Sequence, residues 1–106
     1  MPDTIYGVDL NSTITPLMVR DAIVRCFWEA HCMDTGLGKE EAEINKSYCK
    51  TIVEKAFKDA NGNFDNPTKE DIQNCTKALA GFSKNFRDPS IIEKHYNEIM
   101  RLVEKL

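Results

Sequence analysis

A chain of 106 residues with 42% apolar and 29% charged residues is sized for one globular domain that folds without staples, and it is too apolar to be disordered. Its 14 basic and 17 acidic residues give a net charge of −3 with no basic run, which excludes broad nucleic-acid binding because phosphate contacts need clustered Lys and Arg. No apolar stretch approaches the length of a membrane span, and Met1-Pro2-Asp3-Thr4 lacks the positive start of a secretory signal. A cytoplasmic protein with reduced thiols is therefore expected, and the Asn-x-Ser/Thr patterns at Asn11, Asn45 and Asn74 read as chance matches to a glycosylation acceptor.

Residues 1–14 read as a short extended arm, because Tyr6, Val8 and Leu10 alternate with Gly7 and Asp9 and so share one face. The period then becomes helical. Thr15-Pro16 opens a helix over 16–33: Thr accepts from the first free amides, and Pro fits the first position because its missing donor is not needed there. Gly36 and Gly38 close it. At about 100° per residue its apolar side chains cover an arc of roughly 240°. One edge holds Val19, Ala22, Ile23, Cys26, Phe27, Ala30 and Met33, and the other holds Leu17, Val24 and Trp28. Arg20 and His31 interrupt the arc, and Asp21, Arg25 and Glu29 lace the polar strip.

A second helix is predicted over 39–60, with Glu40, Glu41 and Glu43 at its positive end and an apolar face of Tyr48, Cys49, Ile52, Val53, Ala56, Phe57 and Ala60. Asn61-Gly62 stops it. The third is predicted over 68–86, with Thr68 and Asp71 as a capping box and a narrow seam of Ile72, Cys75, Leu79, Phe82 and Phe86. Gly81 is a point where its later part frays or kinks. The fourth, 89–106, opens at Asp88-Pro89 and repeats Ile92, Tyr96, Ile99, Val103 and Leu106. Short connections make neighbours antiparallel, so the expected architecture is an all-α, four-helix up-and-down bundle with an N-terminal arm, in one domain spanning 1–106.

Between the second and third helices, Asp59, Asn61, Asn63, Asp65 and Glu70 stand at positions one, three, five, seven and twelve of a calcium loop. Asp59-Ala60-Asn61-Gly62-Asn63 resembles the start of an EF-hand, and the resemblance implies oxygen ligands for calcium. It covers about twelve residues. It ends at Phe64, which stands where the ion-wrapping turn needs Gly, and at Asn66-Pro67. The same letters also read as a helix stop, an inward Phe64 and the cap of the next helix.

The cysteines form no Cys-x-x-Cys pair, and Cys26, Cys49 and Cys75 each lie on the apolar stripe of a different helix, which points to core packing. Cys32 lies toward the polar strip beside His31; neighbouring helical residues diverge, so the two do not make a zinc pair by themselves. His31 suits the negative end of its helix, and His95 suits a hydrogen-bonded core position. No nucleophile elbow, phosphate loop or paired-His motif is present, so no catalytic, cofactor or metal residue is assigned and the balance is against an enzyme.

Packing in a bundle covers about half of a helix, so the second edge of the first helix, Leu17, Val24 and Trp28, needs a cover. These three residues are the candidate interface. The expected function is protein–protein interaction through the first helix, by self-association as a homodimer or by binding a partner protein, with the arm as the competing cover. The alternative class is a ligand- or metal-binding helical protein that uses loop 59–70.

Overall fold

In the computed structural model, residues 4–81 and 86–106 are described. They form a two-stranded hairpin, β1 (Thr4–Ile5) and β2 (Val8–Asp9), followed by four helices, α1 (Pro16–Thr35), α2 (Lys39–Asp59), α3 (Lys69–Ala80) and α4 (Pro89–Val103). The architecture is the four-helix bundle expected. Each helix packs on its neighbours in the chain, α4 returns to α1, and α1 also touches α3, which makes α1 the central helix.

The helix ends follow from local chemistry. Thr15 Oγ1 accepts from the Met18 N–H at 3.3 Å, and Pro16 occupies the first turn. Gly36 takes φ 66 and donates to the Cys32 carbonyl at 2.8 Å, which extends α1 to Thr35 rather than Met33. At the end of α2 it is Asn61 that becomes left-handed, at φ 59. The Gly62 N–H then reaches Phe57 O at 2.7 Å and the Asn61 N–H reaches Lys58 O at 3.0 Å, the paired bonds of a Schellman stop. The capping box of α3 forms in both directions: the Asp71 N–H donates to Thr68 Oγ1, and the Thr68 N–H donates to Asp71 Oδ2, each at 3.1 Å. Asp88 Oδ1 accepts from the Ser90 N–H at 3.1 Å and starts α4.

Besides the shift at the end of α1, three elements differ from expectation, and the smallest difference is in α4, which ends at Val103 instead of running to residue 106. Helix α3 stops at Ala80, with Gly81 in a 3₁₀ turn, instead of running to Phe86. Glycine supplies little helix propensity there, and Phe86 reaches the core from irregular chain, edge-on to Phe27 with ring centroids 6.0 Å apart. Phe82 and the side chain of Leu79, both assigned to the seam, lie outside the described residues. The arm is a hairpin rather than a single extended strand: Tyr6 and Gly7 take φ 50 and 81, the positive pair that a two-residue hairpin turn requires. Ile5 pairs with Val8, so these two side chains share the buried face, while Tyr6 and Leu10 lie in turns.

The core joins Ile5 and Val8 to Val19, Ala22, Ile23, Cys26, Phe27 and Ala30 of α1, Cys49, Val53, Ala56 and Phe57 of α2, Ile72 and Cys75 of α3, and Ile92, Ile99, Leu102 and Val103 of α4. Three large residues placed on apolar faces are exposed outside it, Leu17, Met33 and Tyr48. Met33 is 63% exposed, one turn beyond the last buried residue of α1, and Tyr48 is exposed with its ring 6.2 Å from His31. Among the described residues no helix is long and apolar enough to cross a membrane.

Candidate functional site

The second apolar edge of α1 meets α2 at Trp28. The Trp28 indole N–H donates to the Ala42 carbonyl at 2.6 Å, and Lys46 Nζ stands 5.4 Å from the ring centroid, within cation–π range. The element lying against Trp28 is therefore the first half of α2. Beside it the hairpin and α1 enclose an open groove of about 540 Å³. Val8, Met18, Ala22, Val24 and Trp28 supply its apolar lining, and the charged groups along it are Asp21, Arg25, Glu29 and Lys46. Val24 and Trp28 thus come together in one depression, each half-buried. Leu17, 46% exposed, lies outside that lining.

Arg25 Nε bonds Glu29 Oε1 at 3.0 Å across one helical turn, a solvent-facing pair that orders the rim more than it stabilises the fold. A Cβ at Gly7 would stand 3.0 Å from Arg25 Nη1, so the glycine also lets the hairpin turn come close to this rim.

A second groove, about 410 Å³, lies between α1 and α4, lined by Met33, Ile91, Lys94, His95 and Glu98. Tyr6 and Glu29 line both grooves. The Tyr6 ring stacks on His95 with centroids 6.2 Å apart, and its hydroxyl donates to the His95 carbonyl at 3.5 Å. The Cys26 thiol lies 3.6 Å from the same carbonyl. Burial, and then the adjacent Cys26, raise the Tyr6 pKa. Burial pushes the Cys26 thiol up to about 12, against a smaller opposing effect of its bond with Tyr6. His95 Nδ1 lies 2.7 Å from the Ile91 carbonyl; the residue is hydrogen-bonded as expected but half-buried on the groove and not in the core.

The remaining candidates are placed as follows. Cys49 and Cys75 are buried, and burial pushes each thiol up to about 12; Cys32 is half-buried, with its thiol raised by desolvation and then by Glu29. His31 sits among rings, 6.2 Å from Tyr48 and 6.4 Å from Phe86.

In loop 59–70 one of the five candidate side chains, Asn63, has its oxygen bound to the loop's own backbone. Asn63 Oδ1 accepts from the N–H groups of Asp65 at 3.0 Å and Asn66 at 3.1 Å, and Phe64 packs edge-on against Phe57 at 5.5 Å. Among the described residues no group of three His, Cys, Asp or Glu side chains converges to hold a metal ion.

Arg20 and Asp34 do structural work that periodicity does not reveal. Arg20 donates to the Phe64 carbonyl at 2.9 Å and lies 4.7 Å over the Phe64 ring, pinning the 59–70 loop to α1. Its signal in the sequence is a charge inside an apolar arc; with a side chain only 16% exposed, it needs a partner. Asp34 accepts from the N–H groups of Arg87 at 2.9 Å and Asp88 at 2.8 Å, which ties the end of α1 to the start of α4. Desolvation acts to raise its pKa, but those two N–H groups, with the nearby Arg87 and His31, outweigh it and hold the carboxyl below its usual value.

Comparison with protein-family models, curated proteins and solved structures finds no match in any of the three. The functional reading rests on this chain's own geometry.

Proposed function

We propose that this chain is a protein-interaction module that docks its partner in the groove over α1, with Val24 and Trp28 as the apolar anchors and Leu17 extending the contact beyond it. The observation that carries the reading is the groove itself: an apolar floor on the central helix, edged by charges of both signs. Half-buried aromatic anchors ringed by polar groups are the pattern of an interface centre.

The mixed rim favours self-association. In a two-fold contact each patch meets its own copy, so Arg25 and Lys46 of one copy have Asp21 and Glu29 of the other available as counter-charges.

Light scattering across a concentration series tests this. A mass that rises above the 12.1 kDa of one chain and returns to it in Val24→Lys, with helical circular dichroism unchanged, supports the reading. A wild-type mass fixed at one chain, with Trp28 fluorescence independent of concentration, removes self-association.

A further inference from the structure

The hairpin β1–β2 is the smallest element of the fold and lies against both α1 and α4. Ile5 and Val8 anchor it by burial, and Tyr6 anchors it by stacking on His95. Three properties make it separable from the helices. Strands of two residues in a lone hairpin do not sustain themselves in water. Tyr6 is held at φ 50, a left-handed conformation that disfavours a bulky L side chain. The chain that joins it to α1 is exposed at Asn11, Ser12 and Thr13, and the bonds of Asn11 and Ser12 run to Asp9, so they travel with the hairpin.

We propose that the hairpin is a strap over the α1–α4 seam that opens as a unit while the four helices stay folded. Closed, Tyr6 lines both grooves together with Glu29, and its hydroxyl and the Cys26 thiol meet at the same His95 carbonyl, 3.5 and 3.6 Å away. Open, the grooves become one continuous depression along α1, from Met18 to Met33, and Cys26 reaches solvent. The reactivity of Cys26 and the length of the α1 groove are thus set by one local equilibrium, which exists whether or not a partner occupies the groove.

Site-resolved alkylation tests this on the full chain. The folded protein is treated with iodoacetamide in increasing urea below the unfolding midpoint, quenched, digested and read by mass spectrometry. Cys26 should label with a shallow urea dependence, while Cys49 and Cys75, buried between helices, label only with the steep dependence of global unfolding. Val8→Asp, which places a charge in the hairpin's seat, should speed Cys26 labelling by about tenfold or more while Cys26 keeps its shallow urea slope; Cys49 and Cys75 should keep the steep slope of global unfolding, their rates rising by no more than the loss of global stability. The strap is overturned if Cys26 shares the urea slope of Cys75 in the wild type, or if Val8→Asp leaves the Cys26 labelling rate unchanged. Should Val8→Asp not fold, the wild-type slopes alone decide.

Discussion

Asp71 Oδ2 accepts from two backbone N–H groups, those of Asn63 and Thr68, each at 3.1 Å. The first bond closes the 59–70 loop and the second belongs to the α3 cap. Gly62 makes room for this, since a Cβ there would stand 3.2 Å from the Asp71 side chain. The two N–H groups, Asn63 first, hold the Asp71 carboxyl below its usual value. A carboxyl depressed in the folded state contributes stability that is present above its unfolded pKa and lost as pH falls through its folded one. Asp71→Ala should therefore lower the melting temperature at neutral pH. The gap to wild type should close well below the ordinary Asp value of about 3.9. Thermal melts at the two pH values check this; an undiminished gap in acid would show that the carboxylate's charge is not what matters. Asn61-Gly62 is readable in the sequence as a helix stop, but its division of labour is not. Asn61 takes the left-handed turn and Gly62 the close approach, and the latter depends on where Asp71 arrives from the next helix.

Helix starts are the most legible elements, because Thr15-Pro16, Thr68 with Asp71, and Asp88-Pro89 each satisfy the first amides with atoms a few residues away. The end of α3 is not legible from periodicity, since Phe86 keeps the seam's spacing while the chain has already left the helix at Gly81. The hairpin is missed for a related reason: alternation over Tyr6, Val8 and Leu10 suits one strand, and Tyr6-Gly7 is a less pronounced turn signal than Asn-Gly. Gly36 and Gly38 look alike in sequence but sit in opposite situations. Gly36 has positive φ with no atom near its Cβ direction, so Gly36→Ala meets backbone strain alone and should cost about 1 kcal/mol. Gly38 is the extended first cap of α2 with no side-chain bond, so Gly38→Ser should gain a few tenths of a kcal/mol, by roughly the Ser-over-Gly preference at that position. Urea unfolding of the two variants measures both. Equal effects of the same sign would contradict the assignment of one glycine to a helix end and the other to a helix start.

The wide apolar arc of α1 is the feature from which the whole arrangement is partly readable. It reflects a helix that touches all three others and the hairpin, so the arc reports centrality first and leaves Leu17, Val24 and Trp28, with Met33 at its far end, outside the buried core. The groove itself is not readable, because its walls come from the hairpin and from α2, whose placement over α1 is a tertiary outcome. The two apolar populations should separate by energetics. Phe57 is fully buried and meets Phe64 edge-on, where truncation removes aromatic area and leaves a cavity between α2 and the loop. Phe57→Ala should cost about 4 kcal/mol, a large part of the roughly 5–15 kcal/mol that holds a domain together. Leu17→Ala, at the exposed start of α1, should stay within about 0.5 kcal/mol while weakening any docking along that edge. Urea midpoints at unchanged slope measure the first difference, and light scattering measures the second. If Leu17→Ala destabilised the chain as much as Phe57→Ala, Leu17 would be a core residue covered within the fold, and its place in an interface would fall with that result.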